Sequence, residues 1–133
     1  MQFKLNLQDE IFEIKVSGTA NFEGFSELYK ETVEHEQWKQ GGLIIADYSE
    51  LHAEGLSIND IKAIAALSQQ YRQRFGYAKY AIVVGREVEY GLARMWEAYL
   101  GADAWDVSQK LFRSKDEALA WLTKTDVFEW LLL

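Results

Sequence analysis

The sequence predicts an α/β fold in a single domain, residues 1–133, in which an N-terminal antiparallel hairpin precedes a series of right-handed βα units. Two segments near the start alternate apolar and polar residues, as strands with one solvated face do. A short apolar run, Leu43-Ile44-Ile45-Ala46-Asp47, is typical of a strand buried on both faces. Between such runs the apolar residues recur at helical spacing, so we expect about five strands and four helices.

The hairpin is predicted from two alternating segments joined by a polar turn. Phe3, Leu5 and Leu7 alternate with polar residues in the first segment, and the second spans residues 12–16. Asp9-Glu10 separates the two segments, and Gly18 ends the second. A short polar connection between two alternating segments favours an antiparallel pair.

Two amphipathic helices are predicted around the central strand. From Asn21 to about Trp38 the apolar residues follow helical spacing, with a row of glutamates on the other side. After the central strand, which we expect to end at Asp47, Ser57 is placed as an N-cap with Asp60 three residues later. The helix that Ser57 begins is expected to end at Gly76.

The second half of the chain repeats the strand and helix alternation. Residues 80–84 predict a second buried strand, and a third helix is predicted from Glu87 to Leu100. The apolar face of that helix is expected to consist of Val88, Leu92, Met95, Trp96 and Tyr99. Residues 107–112 suit an edge strand, and Ser114 with Glu117 is typical of a capping box that opens a last helix.

The chain ends in an apolar extension, residues 126–133. It is too short to cross a bilayer, so it must be covered in another way. Packing on its own domain is one interpretation, and a homodimer contact or a displaceable flap is the other.

Composition and charge exclude several functions. The chain has no cysteine and only two histidines, so we expect no disulfide, no metal site and no cofactor. The net charge is −7, all of it in residues 1–66, which argues against nucleic acid as a partner. No signal peptide and no membrane span is predicted, so we expect a cytoplasmic protein.

Polar residues follow the two buried strands, and we expect them to share one edge of the sheet. They are Asp47, Ser57 and Arg86, with Arg94 on about the same side of the third helix. Ser57 is either an N-cap or a phosphoacceptor, and the two roles are compatible. Arg86 is either an anion ligand at this edge or the partner of an acid such as Asp47 or Glu87. The edge is therefore a candidate site for an anion or a protein partner.

Catalysis is not expected, although the residue types of a hydrolytic triad occur. His52, Asp47 and Ser57 have the required chemistry, but no Gly-x-Ser-x-Gly motif surrounds the serine. We therefore predict no catalytic residue, with an unrecognised hydrolase as the remaining alternative.

The large aromatic content suggests a second kind of site. If the third helix and the C-terminal extension enclose a cavity, its lining would include Tyr90, Trp96, Tyr99 and Trp130. The alternative is that these rings are ordinary packed core.

At the level of residues, the chain resembles the SpoIIAA-like family, whose fold is of the STAS or CRAL-TRIO type. The resemblance covers almost the whole chain to residue 122. The segments that carry it are Ile14-Lys15-Val16-Ser17-Gly18, Leu43-Ile44-Ile45-Ala46-Asp47, Ala81-Ile82-Val83-Val84, Gly91-Leu92-Ala93-Arg94-Met95-Trp96 and Leu111-Phe112-Arg113-Ser114-Lys115-Asp116-Glu117-Ala118-Leu119-Ala120-Trp121-Leu122.

The resemblance implies a non-enzymatic regulatory or protein-interaction module. In the sporulation factor that names the fold, a serine at the start of the helix after the central strand is phosphorylated, and Ser57 is its topological match. Here Glu54-Gly55-Leu56-Ser57 replaces the usual Asp-Ser-Ser-Gly type of motif. The CRAL-TRIO likeness implies instead a carrier or sensor of a small apolar, lipid-like ligand.

Overall fold

One mixed sheet of five strands organises the protein. The computed structural model describes residues 1–101 and 106–124. The strands are β1 (Gln2–Gln8), β2 (Ile11–Thr19), β3 (Leu43–His52), β4 (Lys79–Val84) and β5 (Ser108–Phe112). They lie side by side in chain order, with β1 antiparallel to β2 and every other neighbouring pair parallel. The predicted α/β class and the N-terminal hairpin are confirmed.

Within the described residues there are five helices, one more than predicted. They are α1 (Phe22–Glu34), α2 (Ile58–Gln70), α3 (Arg72–Phe75), α4 (Glu87–Leu100) and α5 (Lys115–Thr123). The single helix expected up to Gly76 is interrupted at Tyr71, whose φ of −95° and ψ of 7° leave the helical region. Gly76 then ends α3 with a positive φ of 64°. No helix in these ranges has an apolar stretch long enough to cross a bilayer.

The hairpin turn consists of two residues that both adopt the left-handed region. Gln8 pairs with Ile11 across the turn, and the residues between them, Asp9 and Glu10, have φ values of 52° and 66°. A two-residue turn with two positive φ angles matches the twist of the flanking strands. The turn therefore sets the register of β1 on β2.

The helices are divided unequally between the two faces of the sheet. Side chains of α1, α2 and α4 form the main core with Phe12, Ile44 and Ile82. Helix α5 covers the other face with a smaller cluster that includes Ile45 and Val83. Because successive side chains of a strand point to opposite faces, both faces of β3 and β4 are buried.

A β-bulge in β3 changes which side chains face the main core. Lys15 of β2 pairs with Asp47, but Ser17 pairs with Glu50, so β3 has one extra residue between these pairs. Tyr48 within the bulge and Leu51 after it both face the main core. The prediction that the strand ends at Asp47 is wrong, because the bulge lets β3 continue to His52.

The residue after β4 is in close contact with this bulge. A Cβ atom added to Gly85 would lie 2.9 Å from the backbone oxygen of Ser49 and 3.3 Å from its Cα. Both neighbouring atoms belong to backbone, so they cannot move aside as a flexible side chain would. Glycine at position 85 therefore allows the end of β4 to pack directly on the bulged strand.

We predict that Gly85→Ala destabilises the protein because the added methyl group overlaps the Ser49 carbonyl oxygen. The free energy of unfolding should fall by about 1–3 kcal/mol. Gly91→Ala is the matched control, because Gly91 lies in α4 with open space where its Cβ would be. That change should raise the free energy of unfolding by about 0.5–1 kcal/mol. Urea unfolding of the two variants checks both signs, and equal stability of Gly85→Ala and the natural sequence would contradict the packing argument.

Candidate functional site

An apolar cavity of about 70 Å³ lies between α2, α4 and the sheet. Strands β3 and β4 supply its floor, while α2 and α4 form its walls. The lining side chains are those of Phe25, Tyr29, Tyr48, Leu51, Ala53, Leu56, Ile61, Ile64, Tyr80, Ile82, Val84, Glu89, Leu92, Ala93 and Trp96. The set contains a single carboxylate, that of Glu89, which is only 4% exposed.

A wider groove of about 320 Å³ lies at the opposite end of the sheet, beside the hairpin turn and the start of β3. Its polar lining residues, Glu10, Gln37 and Lys39, are all exposed. Its volume is larger, but no buried charged or hydroxyl-bearing side chain lines it. We therefore take the cavity between α2 and α4 as the candidate site, because specific ligand sites combine an apolar lining with a few placed polar groups.

A buried set of hydrogen bonds fixes the wall of the cavity near α2. Ser68 Oγ donates to the Ile64 carbonyl oxygen at 2.9 Å, which uses its only proton. The Tyr29 hydroxyl, 2.9 Å away, must therefore donate to Ser68, and Trp96 Nε1 donates to the same oxygen at 3.1 Å. These bonds join α1, α2 and α4 around one serine, and they hold the rings of Tyr29 and Trp96 in place.

The floor of the cavity has a second buried pair of hydroxyl groups. The Tyr48 and Tyr80 oxygens, from β3 and β4, are 2.9 Å apart. Burial raises the pKa of Tyr48 to about 12 and raises the pKa values of Tyr29 and Tyr80 well above their usual range. All three phenols therefore stay neutral at physiological pH.

Glu89 is held at the rim of the cavity by Arg86, the N-cap residue of α4. Arg86 Nε donates to Glu89 Oε1, and its Nη2 donates to Glu54 Oε2 at 2.7 Å. The Ala53 backbone N–H donates to Glu89 Oε2 at 3.4 Å. One guanidinium therefore ties α4 to the loop that follows β3.

The charges of this network reinforce one another. Hydrogen bonds to Glu89, and then to Glu54, raise the pKa of Arg86. The pKa of Glu54 is lowered, first by a hydrogen bond from its own backbone and then by Arg86. Glu54 is exposed, so its pairing with Arg86 adds little to stability. Its structural effect is to position Arg86.

Ser57 is the N-cap of α2 in a complete capping box. Its Oγ accepts from the Asp60 backbone N–H at 3.1 Å, and its own N–H donates to Asp60 Oδ2 at 2.8 Å. A phosphate on Ser57 would meet the favourable end of the helix dipole. It would also face the Asp60 carboxylate, so it would break the box. The role of Ser57 as a phosphoacceptor stays a prediction.

The predicted edge is only partly assembled. Arg86 and the loop before Ser57 meet through Glu54, but the Asp47 side chain lies on the opposite face of the sheet from Tyr48 and α2. There Asp47 Oδ1 accepts from the Ser49 N–H and hydroxyl at 3.0 and 2.6 Å. The expected grouping of Asp47 with Ser57 and Arg86 is wrong, because β3 continues past Asp47.

The two arginines of the prediction are both paired with acids. The partners of Arg86 are Glu54 and Glu89, not Asp47 or Glu87. Arg94 is 66% exposed and lies 3.6 Å from Glu97 on the same helix. The structure therefore gives Arg94 no place in the network at the rim.

Of the four aromatic residues predicted to line a cavity, Trp96 does so. Tyr90 is half-buried with the Arg113 guanidinium 4.8 Å from its ring centre, and it is not in the lining. Tyr99 is 41% exposed, with Lys62 Nζ 5.3 Å from its ring centre, so its predicted place in the lining is wrong. Trp130 and the extension at residues 126–133 lie outside the described residues.

Two differences between the predicted and the observed lining have one cause: Tyr99 was predicted to line the cavity and does not, whereas Glu89 was not predicted and does. The buried residues of α4 are Glu89, Trp96 and Leu100, and Val88 is 42% exposed. The helix is therefore rotated by about one residue from the predicted face. Glu89 lies seven residues before Trp96, so helical spacing alone could have found it. The hydrophobic pattern assigns a glutamate to the solvent side, and that assignment hid it.

The residues of the suggested hydrolytic triad are not assembled. Asp47 bonds Ser49 on the far face, and the Ser57 hydroxyl caps α2. His52 Nδ1 lies 3.8 Å from Glu54 instead. Across residues 1–101 and 106–124, no three His, Asp or Glu side chains are grouped so that they could hold a metal ion.

The N-terminal hairpin, the chain-ordered mixed sheet and the helices on its two faces define an α/β protein with the SpoIIAA-like fold. A solved structure shares this architecture: an uncharacterized protein of the DUF3478 family with a SpoIIAA-like fold, from Shewanella loihica PV-4. The two chains are 18% identical, the TM-score is 0.56, and the match covers 91% of this chain and 92% of that chain. The predicted resemblance in fold is confirmed. No protein-family model and no curated protein matches the sequence.

We predict that ionisation of the buried tyrosines unfolds the protein at high pH. The pKa of Tyr48 is raised in the folded state, so its neutral phenol stabilises the fold below pH ~10, the usual tyrosine pKa. This contribution is lost as the pH rises through about 12. Tyr48→Phe removes one such group, so its free energy of unfolding should fall less steeply with pH. The slope of the variant should be smaller than that of the natural sequence by about 1.4 kcal/mol per pH unit. Urea unfolding at several pH values in this window measures the slope, and identical slopes would contradict the prediction.

Proposed function

We propose that this protein is a non-enzymatic regulatory module that binds a small apolar group in the cavity between α2 and α4. The observation that carries the proposal is the cavity itself: a void of about 70 Å³ whose lining is apolar apart from hydroxyl groups bonded within the core and one carboxylate. Ligand sites in proteins are typically concave pockets of this kind, with a mostly apolar lining and a few placed polar groups. A cavity kept open by hydrogen-bonded rings is a reason to expect a ligand.

The size of the cavity limits what it can take. An apolar protein cavity of about 150 Å³ holds one benzene molecule. A void of about 70 Å³ is roughly half as large, so it suits about three or four carbon atoms. The ligand is therefore a short aliphatic molecule or the short apolar end of a larger one.

The least buried residues of the lining indicate the entrance. Leu56, Leu92 and Ala93 are half-buried, whereas the floor residues Tyr80 and Val84 are buried. Leu56 belongs to the loop before α2, and the other two belong to α4. We propose that a ligand enters between this loop and α4, next to the Arg86 network.

We predict that the protein binds straight-chain alcohols with an affinity that rises with chain length and then levels off. Each methylene group that enters the cavity should strengthen binding about fourfold, as its transfer from water contributes about 0.8 kcal/mol. The rise should stop after three or four carbons. Titrations from methanol to hexanol, followed by amide chemical shifts, measure the series.

A pair of alanine variants on α4 tests the location. Ala93→Leu places a larger side chain at the cavity and should abolish binding of propanol. Ala98→Leu is the matched control, because Ala98 is exposed on the same helix and does not line the cavity. Failure of the natural sequence to bind any alcohol, or equal loss in both variants, would overturn the proposed function.

A protein partner at the same rim is the second candidate function. Ile58 is the first residue of α2 and Val88 the second residue of α4, and they are 56% and 42% exposed. Large apolar side chains with this exposure, beside Ser57 and Arg86, suit a contact surface that phosphorylation could modify. In this proposal a ligand in the cavity changes the affinity of the rim for a protein partner.

Capture from cells with matched surface variants tests this second candidate. Ile58→Asp should lose a partner that the natural sequence retains, since a carboxylate would interrupt the apolar contact. Tyr77→Asp is the control: Tyr77 is 81% exposed, but it lies next to the start of β4, at the opposite end of the sheet. If the natural sequence retains no protein, or Ile58→Asp retains the same one, the rim is not a partner surface.

A further inference from the structure

We propose that the groove beside the hairpin turn is the docking site of the chain's own C-terminal segment, residues 126–133. Leu7, Phe12, Trp38 and Leu43 form the apolar part of the groove. The groove lies at the opposite end of the sheet from the cavity between α2 and α4, so the inference does not depend on the proposed function. It gives the groove an occupant and gives the apolar extension a place on its own domain.

The first argument is the surface that the groove presents. Phe12 is buried, whereas Leu7, Trp38 and Leu43 around it are half-buried and therefore expose apolar atoms. The polar side chains of the lining are exposed. The groove has a volume of about 320 Å³, which is larger than that of the cavity between α2 and α4. A wide apolar groove with a polar rim suits an apolar stretch of chain.

The second argument is that the groove is already formed. Trp38 Nε1 donates to the Arg74 carbonyl oxygen at 3.2 Å. The Trp38 ring packs edge-on against Phe12 and Phe75, with ring centres 5.8 and 5.7 Å apart. The backbone at Gly42 is close to the same ring, since an added Cβ would lie 3.5 Å from its Cζ3 atom. The ring is therefore held in place, and docking requires no rearrangement of it.

The third argument is the place where the described chain ends. Lys79 Nζ donates to the Trp121 carbonyl oxygen at 2.6 Å, so the end of α5 lies at the start of β4. Leu122 packs in the smaller cluster with Ile11, the first residue of β2. Leu43, the first residue of β3, packs against that cluster and also lines the groove. The chain therefore leaves α5 at the end of the sheet that carries the groove.

The remaining chain is long enough to reach the groove. Lys124 is the last described residue, and α5 lies on the face of the sheet opposite the main core. An extended chain advances about 3.3 Å per residue, so residues 125–133 can span about 30 Å. Stacked sheets are only about 10 Å apart, so this length is sufficient to pass around the end of the sheet and to follow the groove. The entrance of the cavity between α2 and α4 is farther away, at the other end of the sheet.

The fourth argument is the chemistry of the segment. Six of its eight residues are apolar, and the other two are the acids Asp126 and Glu129. Lys39 offers a cation at the rim of the groove to these acids. Glu10 is the acid in the lining, and it is exposed in the hairpin turn, where solvent screens its charge. Docking would remove the apolar surface of both the segment and the groove from water.

A single spin label tests the location in the full chain. The chain has no cysteine, so Leu133→Cys provides one site for a nitroxide, which weakens the signals of nearby backbone amides. We expect the amide signals of Leu7 and Leu43 in the groove to lose most of their intensity. The signals of Leu56 and Leu92, at the entrance of the cavity, should keep theirs. Reduction of the nitroxide gives the reference spectrum.

A mixed sample separates this arrangement from a contact between two copies of the chain. Isotope-labelled natural sequence is mixed with an equal amount of spin-labelled Leu133→Cys that carries no isotope label, so only contacts between molecules weaken the observed signals. We expect no loss of intensity in this sample. A loss at the groove amides would mean that a second copy supplies the segment, and the inference would be wrong.

Three substitutions in the spin-labelled protein test the contacts. Trp130→Asp places a charge in the apolar part of the segment and should return the groove signals to the reference intensity. Lys39→Glu reverses the charge at the rim and should return part of the intensity. Lys62→Glu is the matched control, because it changes the net charge by the same amount at an exposed position of α2 that does not line the groove. It should leave the groove signals weakened.

Each remaining outcome also decides the inference. Loss of intensity at Leu56 and Leu92 in place of the groove would put the segment at the cavity and overturn the inference. Loss confined to the end of α5 would mean that the segment does not dock, with the same consequence. If Trp130→Asp leaves the groove signals weakened, or if Lys39→Glu and Lys62→Glu act equally, the groove contacts do not hold the segment. None of these outcomes involves alcohol binding, so the proposed function is tested separately.

Discussion

The bulge in β3 is the constraint on which the cavity and its rim depend. Alternation along a strand would place Glu50 and His52 on the same face as Tyr48, and the extra residue between Asp47 and Glu50 places Leu51 there instead. The core face therefore continues to the end of the strand, and the two polar side chains stay in water. The same bulge places the Ser49 carbonyl oxygen in close contact with Gly85, the residue after β4. Any side chain larger than that of glycine would overlap this oxygen.

The cavity persists because its walls are aromatic side chains whose polar ends are tied down. Ser68 accepts hydrogen bonds from Tyr29 and Trp96, and Tyr48 and Tyr80 bond each other across two strands. Rings held at one end cannot rotate to fill the space, and each buried hydroxyl is satisfied. The polar groups thus define the shape of an apolar cavity, and the Glu89 carboxylate beside it is bonded to Arg86 and Ala53.

The sequence predicts the fold well and the site less well, for physical reasons that particular residues illustrate. Strand alternation, the buried runs and the capping serines at 57 and 114 are local signals, and the elements that they predict are present. The site depends on features without a local signal. A bulge follows from how two strands pair, and it moved Asp47 away from the predicted edge. Glu89 is buried because Arg86, three residues earlier at the N-cap of the same helix, pairs with it, and the hydrophobic pattern of α4 does not indicate that a charged residue lies on the buried face.

The order of the strands in the sheet also bears on how the chain assembles. Every strand neighbours its predecessor, so no pairing has to wait for a segment that is made later. Closing a loop costs more entropy as the loop lengthens, and sheets that insert a late strand between early ones must close long loops first. A nascent chain of this topology can extend its sheet at one growing edge as synthesis proceeds. The ion pairs of Arg86 join α4 to the loop after β3. They can therefore form only after α4 has been synthesised.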